Sequence, residues 1–130
     1  MTVFGSVGTT ELAAVLSTVV LNSFAQILLR FGLRDQDIAL YVTERQIGAL
    51  ASLALRPAVI GGVACFAVGL LFWVFVISRL PASVAYPMMS LAYVTVLLLG
   101  WVLLDEHITP VRLIGVGIIV VGVGTIARSA

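Results

Sequence analysis

The sequence predicts an all-α membrane protein with four transmembrane helices, and two observations support that fold class. Of the 130 residues, 62% are hydrophobic and only 10% are charged, and the mean hydropathy is +1.22. Soluble domains are about half apolar and about a quarter charged. Four separate stretches are also long enough to cross a bilayer, which takes about 20 apolar residues each. A lipid bilayer is therefore the solvent that suits this chain.

The four stretches give the predicted domain organisation, which is one four-helix transmembrane domain over residues 1–130. Charged residues or prolines follow the first three spans, as expected where a chain leaves hydrocarbon. Residues 1–10 contain no Lys or Arg, and the first apolar run is too long for the core of a signal peptide. We therefore expect the first helix to remain in the protein. The predicted spans are residues 12–33, 57–77, 83–104 and 111–127.

The connection between the first two spans is long, and its pattern predicts a short helix. Thr43 is positioned to cap a helix over residues 44–55, in which apolar residues recur at helical spacing. About 12 residues are too few to span a bilayer, so we expect an interfacial helix. A re-entrant segment or an extension of the second span would give the same pattern.

Charge and cysteine content exclude several classes of function. The chain has seven Arg, no Lys, six acidic residues and a formal charge of +1, so it offers no basic surface for nucleic acid. Its single cysteine excludes an intramolecular disulfide, and no Cys/His cluster has metal-ligand spacing. We expect no metal, no cofactor and no enzymatic activity.

An even number of spans places both chain ends on one side of the membrane, together with Arg79 and Arg128. The positive-inside rule would make the opposite side cytoplasmic, because it carries more arginines. A four-helix unit is small for enclosing a polar path, so we expect a dimer that forms its cavity between two copies or two homologues. The arginines of the opposite side are Arg34, Arg45, Arg56 and Arg112.

Polar side chains inside the first span form one stripe, because Asn22, Gln26 and Arg30 are spaced at i, i+4 and i+8. Polar groups in hydrocarbon usually face a protein interior or a water-filled cavity. Asn22 and Gln26 therefore either line a cavity or form hydrogen bonds between helices. Arg30 either anchors in the headgroups, pairs with Asp105 or Glu106, or binds a phosphate in a bidentate manner.

The third span carries a second polar face, formed by Tyr86, Ser90 and Tyr93 at i, i+4 and i+7. Pro87 lies in the same turn and is expected to kink the helix near residues 85–90, exposing a carbonyl to a cavity or a polar partner. A kinked, polar-faced helix beside a polar stripe suits a substrate path. The alternative is that Tyr86 is an interfacial aromatic residue and Pro87 only a packing kink.

The fourth span is rich in glycine, and small residues let membrane helices approach closely. We predict that this helix is a packing or dimerisation element. Gly61, Gly62 and Gly69 give the second span a similar, weaker face. The predicted dimer-packing residues are Gly115, Gly117, Gly122 and Gly124.

Four segments together carry a recognisable pattern. They are residues 80–91, which contain Ala85-Tyr86-Pro87 and Ser90-Leu91, then residues 100–110 and 115–124, with residues 25–30 as the matching part of the first helix. This pattern resembles the EamA-like part of the drug/metabolite transporter superfamily. The chain is especially similar to the four-helix subunits of the flippase that carries aminoarabinose-linked undecaprenyl phosphate. It is more distantly similar to the small multidrug resistance family. The likeness covers roughly half to two thirds of the chain.

The resemblance implies an EamA-like half-transporter of the bacterial inner membrane, working as a homodimer or as a heterodimer with a homologous subunit. Its substrate would be a polyprenyl-phosphate glycolipid, with Arg30 on the phosphate and the lipid tail in the bilayer. Glu106 belongs to the candidate binding set. The remaining candidate substrate-binding residues, expected to contact the sugar, are Asn22, Gln26, Tyr86, Ser90 and Tyr93.

Two alternatives remain, one a transporter of the same superfamily and one from a different functional class. A small multidrug resistance exporter depends on a membrane-embedded Glu in its first helix, and aligning Arg30 with that family's basic residue places Asn22 at the Glu position. Asn cannot release a proton, which argues against proton-coupled cation export. The other alternative is a non-transporting membrane subunit that stabilises a partner enzyme through the glycine-rich fourth helix.

Overall fold

The computed structural model describes residues 7–129, and within them it contains helices and no strands. Among these described residues, four helical units are long and apolar enough to cross a membrane: α1, α4, the pair α5 and α6, and α7. The predicted all-α fold with four transmembrane helices is therefore confirmed. The helices are α1 (Thr9–Leu33), α2 (Ile38–Thr43), α3 (Ile47–Ala54), α4 (Pro57–Arg79), α5 (Ala82–Met89), α6 (Leu91–Leu104) and α7 (Pro110–Ser129).

Proline sets where two of the spans begin. Pro57 and Pro110 are the first residues of α4 and α7, a position where the missing N–H costs nothing and the fixed φ favours a helix. The start of α4 is tied to the end of α1, because Arg56 Nη1 donates to the Gly32 carbonyl oxygen at 2.8 Å. That bond satisfies one of the carbonyls that a helix end leaves free.

The α1–α4 connection differs in detail from the predicted short helix, since it folds into two helices, α2 and α3. Thr43 is not a cap: it is the last residue of α2, and its hydroxyl donates to the Ala39 carbonyl oxygen at 2.8 Å. Asp37 caps α2 instead, accepting from the Leu40 N–H at 3.1 Å. Arg45 has a left-handed φ of 52°, which ends the first short helix before α3 begins.

The third span is interrupted at Ser90, between α5 and α6. Pro87 has no N–H to donate into α5, so the ladder is incomplete at this point. Ser90 takes part in local bonds instead: its hydroxyl donates to the Pro87 carbonyl oxygen, and its own carbonyl accepts from the Tyr93 N–H at 3.0 Å. The break lies within the turns where the sequence predicts a kink.

Glycines allow α1 and α4 to approach closely, and these two helices form the most extensive contact of the bundle. Gly62 and Gly69 are buried on α4, and Gly32 is buried on α1. A Cβ on Gly62 would lie 2.8 Å from Leu29 Cγ and 3.0 Å from the Ala25 carbonyl oxygen. Only glycine fits at this distance, so the α4 glycines pack the subunit internally.

The apolar core lies at one end of the bundle, which we call the packed end. It is built from the first half of α1, the last turns of α4 and α7, and α5. The start of α1 and the end of α7 lie at this end of the bundle, and the α1–α4 connection lies at the other. We call the opposite half the open end. The core residues of the packed end are Ala14, Val15, Val19, Val76, Val84, Ala85, Met88 and Val123.

Candidate functional site

Polar residues of α1, α5 and α6 surround a cleft of about 410 Å³, which we call the polar cleft. The α1 stripe and the α5–α6 face meet here because α1 packs against both helices. Each helix contributes residues spaced three or four apart, which is the spacing of one helical face. The lining residues are Asn22, Gln26, Tyr86, Met89, Ser90, Ala92, Tyr93 and Val96.

Asn22 lies at the inner wall of the polar cleft with an unused acceptor. Its Oδ1 is buried and, among residues 7–129, has no hydrogen-bond partner. The same atom lies over Gly69 of α4, where a Cβ would come within 2.6 Å of it. A buried acceptor without a partner destabilises the fold by about 1–3 kcal/mol. A hydrogen bond from a ligand or a water molecule to this oxygen would therefore be favourable.

The two tyrosines of the polar cleft point away from the interior of the subunit. Tyr86 is 64% exposed and Tyr93 is 65% exposed. Tyr86 also packs edge-on against Trp73 of α4, with ring centroids 5.4 Å apart. Both hydroxyls are therefore on the outer side of the cleft, where a ligand or a second subunit would meet them.

A smaller cavity of about 250 Å³ adjoins the polar cleft, and we call it the aromatic pocket. It shares Asn22, Tyr86 and Met89 with the polar cleft. Its remaining walls are Phe66, Leu70 and Trp73 of α4. Apolar groups and polar groups thus line adjoining cavities on either side of Asn22.

Toward the open end the polar cleft adjoins a larger cavity of about 770 Å³, which we call the charged mouth. Arg30 and Glu106 form an ion pair there, with Arg30 Nη2 2.7 Å from Glu106 Oε1. The contact lacks the alignment of a hydrogen bond, and Glu106 Oε1 is buried with no such partner within the described part of the chain. The mouth is lined by Arg30, Tyr93, Val96, Leu97, Leu104, Asp105, Glu106, His107, Ile108, Arg112, Gly115, Val116 and Ile119.

The turn after α6 directs Glu106 toward Arg30. Asp105 adopts a left-handed φ of 54°, a conformation that Asp tolerates better than most residues. The chain then folds back, so that the Glu106 N–H donates to the Gly100 carbonyl oxygen at 3.1 Å. A Cβ on Gly100 would lie 3.3 Å from Glu106 Oε2, so the absence of a side chain leaves room for the carboxylate.

The three cavities adjoin one another along the bundle. Tyr93 and Val96 line both the polar cleft and the charged mouth, and Asn22 lines both the polar cleft and the aromatic pocket. We call the whole path the groove. It runs from charged residues at the open end to uncharged polar residues near the middle of α1, which suits a ligand with a polar headgroup.

Two hydroxyls join the helices behind the groove. Ser23 is fully buried on α1, next to Asn22 in the sequence, and its hydroxyl is hydrogen-bonded to that of Thr95 on α6. Hydroxyl bonds of this kind between membrane helices contribute about 0.6 kcal/mol on average. The bond holds the α1 wall of the groove against the α6 wall.

The seven predicted binding residues all line the groove. Five surround the polar cleft, Arg30 and Glu106 lie at the charged mouth, and Tyr93 belongs to both. Of the two acids proposed as partners for Arg30, Glu106 is the one that pairs with it. The predicted dimer-packing glycines of α7 have open space around them within residues 7–129, and Gly115 also lines the mouth.

Sequence reasoning missed several residues of the groove. Met89 and Val96 follow Tyr86 and Tyr93 by three positions, a helical spacing that was available as a signal. Trp73 of α4 lies in the aromatic pocket. Arg112 reaches the mouth from the first turn of α7, and no spacing rule connects it with Arg30, which is distant in sequence.

Four apolar spans around a polar groove define the class, which is a multi-pass membrane protein of the transporter type. The chain belongs to the EamA-like transporter family, whose family model matches residues 1–128. The resemblance to that family stated from the sequence is therefore confirmed.

Curated relatives place the chain near one group within the family. It is 35% identical over 118 residues to a probable 4-amino-4-deoxy-L-arabinose-phosphoundecaprenol flippase subunit ArnF of Shewanella sediminis, covering 82% of this chain and 80% of the relative. It is also 42% identical over 65 residues to the probable ArnE subunit of a 4-amino-4-deoxy-L-arabinose-phosphoundecaprenol flippase of Klebsiella pneumoniae. That match covers 50% of this chain and 58% of the relative. No solved structure matches the chain.

Proposed function

We propose that this protein is a subunit of a flippase that moves a polyprenyl-phosphate-linked sugar across the bacterial inner membrane. The observation that carries the proposal is the groove, in which a charged mouth adjoins a polar cleft at Tyr93 and Val96. A glycolipid phosphate has a charged group, a polar sugar and an apolar chain, and the groove offers surfaces for each. The relatives named as flippase subunits support the same substrate class.

Arg30 binds the phosphate in this proposal. Its guanidinium stays charged and presents several donors in a planar fork, which suits a phosphate. It lies eight residues from Asn22, about 12 Å along the helix at 1.5 Å per residue, so it reaches the headgroup region from a span whose middle is near Asn22. The side chain is 66% exposed in its pair with Glu106, and a pair this exposed is weakly held.

The sugar occupies the polar cleft, where hydroxyls and amides match its hydrogen-bonding groups. Asn22 and Ser90 are half-buried and line the inner wall, whereas Gln26, Tyr86 and Tyr93 are exposed and surround the outer side. The lipid chain remains in the bilayer beside the exposed tyrosines. Substrate binding would give the buried Asn22 oxygen the hydrogen bond it lacks.

A second subunit completes the groove. Polar groups that face lipid directly are costly, and Tyr86 and Tyr93 are both nearly two thirds exposed in the single chain. A second copy, or a homologous subunit, would cover this side. The α7 glycines, around which a Cβ would find open space among the described residues, are where we place the dimer contact.

The test is glycolipid translocation in reconstituted vesicles, comparing wild type with Arg30→Gln. We expect the variant to slow translocation at least tenfold, the loss expected when a charged hydrogen bond worth about 1.5–3 kcal/mol is removed. The matched control is Arg34→Gln, since Arg34 is an exposed arginine on the same side of the membrane and outside the groove. It should translocate at the wild-type rate.

Equal rates for wild type and Arg30→Gln would contradict the phosphate role. If no glycolipid moves but a cationic dye enters the vesicles along a pH gradient, the protein is an exporter of the multidrug type. If neither moves, while removal of the protein from cells lowers the abundance of a partner enzyme, the non-transporting subunit is the better account.

A further inference from the structure

The charged mouth differs from a simple anion site, because its charges balance. Among its lining residues, Arg30 and Arg112 are opposed by the carboxylates of Asp105 and Glu106, and His107 is counted as neutral. A site for an anion alone is expected to carry an excess of positive charge, since a nearby carboxylate repels a phosphate. A balanced site instead complements a headgroup that carries both signs of charge.

Of the two members of the ion pair, Glu106 is held in place and Arg30 is free to move. Glu106 is 30% exposed at its side chain, its N–H is bonded to Gly100, and its carboxylate lies against the surface that Gly100 leaves open. Arg30 is 66% exposed and has a long, flexible stem. When a ligand enters, Arg30 is therefore the partner that swings away.

The hydrogen bonding of Glu106 is incomplete even with Arg30 in contact. Its Oε1 is buried and, within residues 7–129, lacks a hydrogen-bond partner despite the 2.7 Å approach of Arg30 Nη2. An ionised carboxylate accepts about four hydrogen bonds. A ligand ammonium, with three donors, would supply what the guanidinium does not in this geometry.

We propose that Glu106 is a specificity-determining residue that binds a cationic amine on the headgroup, while Arg30 leaves it to bind the phosphate. The resting ion pair is replaced by two ion pairs with a zwitterionic ligand, so neither Arg30 nor the half-buried Glu106 loses its counter-ion. The phosphate of a headgroup without an amine would bind Arg30 and leave the Glu106 carboxylate without a partner, which is unfavourable. The inference rests on the proposed flippase function and assigns the recognition of the sugar's amine to one residue, Glu106.

The experiment uses two synthetic polyprenyl-phosphate lipids that share one amino sugar, one with the free amine and one with the amine acetylated. Each is placed in vesicles that contain the protein in its native oligomeric form. A membrane-impermeant periodate then reports the sugar on the outer face, because it oxidises the vicinal hydroxyls of both lipids. The measured quantity is the ratio of the two translocation rates.

Wild type is expected to translocate the amine lipid at least about tenfold faster, the size of one charge-assisted hydrogen bond. Glu106→Gln keeps the side-chain shape and should reduce the ratio to within about twofold, with the acetylated lipid moving at least as fast as in wild type. The control Glu44→Gln makes the same change at an exposed acid on the same side of the membrane and outside the groove. It should keep the wild-type ratio.

Each other result has a distinct meaning. Equal wild-type rates for the two lipids would overturn the amine role of Glu106 and leave the flippase function standing, even if Glu106→Gln did not fold. A Glu106→Gln variant that slows both lipids equally would show that the residue only holds Arg30 in place, which also overturns the proposal. If wild type moves neither lipid, the proposed function itself fails.

Discussion

The packed end and the open end of the bundle use the same helices and differ in what those helices bury. At the packed end, α1 contributes Val15 and Val19, which are almost fully buried against the residues of α4 and α5. At the open end, α1 contributes Gln26 and Arg30, which are exposed and line the groove. One helix therefore changes from a core element to a binding wall along its length.

This difference separates stability from function within a small chain. Apolar packing holds the helices at one end, so the other end can keep polar groups and open volume without losing the fold. Close α1–α4 packing at the glycines extends the rigid part along the back of the groove. Substitutions at the two ends should therefore differ in kind, with stability affected at the packed end and transport affected at the open end.

The largest expected loss of stability comes from Met88→Ala. Met88 is 1% exposed in the core of the packed end, whereas its neighbour Met89 is half-buried and lines the groove. Removing a buried Met side chain costs about 2–5 kcal/mol. We expect Met88→Ala to lower the free energy of unfolding by that amount, measured by titration with a denaturing detergent, and Met89→Ala to lower it much less. Equal losses at the two positions would contradict the comparison.

A smaller loss is expected from Gly62→Ala, on the α1–α4 interface. Its Cβ would lie 3.0 Å from the backbone oxygen of Ala25, which cannot move without shifting α1, so overpacking should cost about 1–3 kcal/mol. Gly48→Ala is the control, because a Cβ on this α3 glycine meets open space among the described residues. In the same titration it should raise stability by about 0.5–1 kcal/mol, the ordinary helical preference for Ala over Gly. If both substitutions changed the free energy of unfolding in the same direction, the comparison would be contradicted.

The smallest effect should appear at Gly69→Ala, which links the two regions. The new Cβ would approach Asn22 Oδ1 to 2.6 Å and turn that side chain out of its present position in the polar cleft. The variant would then lose the hydrogen bond between Asn22 and the substrate. If that bond contributes about 0.6 kcal/mol, as hydrogen bonds between membrane helices do, translocation should be about threefold slower. Gly61→Ala is the control, because its Cβ meets only Leu28 Cδ1 at an ordinary 3.6 Å. If both variants slow translocation in vesicles to the same extent, the effect does not act through Asn22.

Much of the architecture could be predicted because it follows from length, hydropathy and helical period. The polar stripe of Asn22, Gln26 and Arg30 and the face of Tyr86, Ser90 and Tyr93 follow from spacings of three and four, and the structure brings both to the same groove. Period alone does not say which helices become neighbours. The meeting of α1 with α6 depends on tertiary packing, and so does the inclusion of Arg112.

Local choices between similar residues were harder to predict. Thr43 was wrongly expected to cap a helix, because Asp37 starts α2 earlier and the left-handed Arg45 ends it. The left-handed turn at Asp105 decides that Glu106 faces Arg30. Glycine content also did not reveal which glycines are packed within the subunit. Residues of α1 occupy the space beside Gly62, whereas a Cβ on Gly117 would meet open space among the described residues.

The most direct test of the groove as the substrate path is photo-crosslinking with a polyprenyl-phosphate sugar that carries a diazirine on its headgroup. The protein is labelled in vesicles, digested and analysed by mass spectrometry, with excess unlabelled lipid as competitor. The account predicts competitor-sensitive labelling of residues 26–30 and 86–96, which line the polar cleft and its junction with the charged mouth. Labelling confined to the exposed outer face of α4, around Leu71 and Val74, would contradict it.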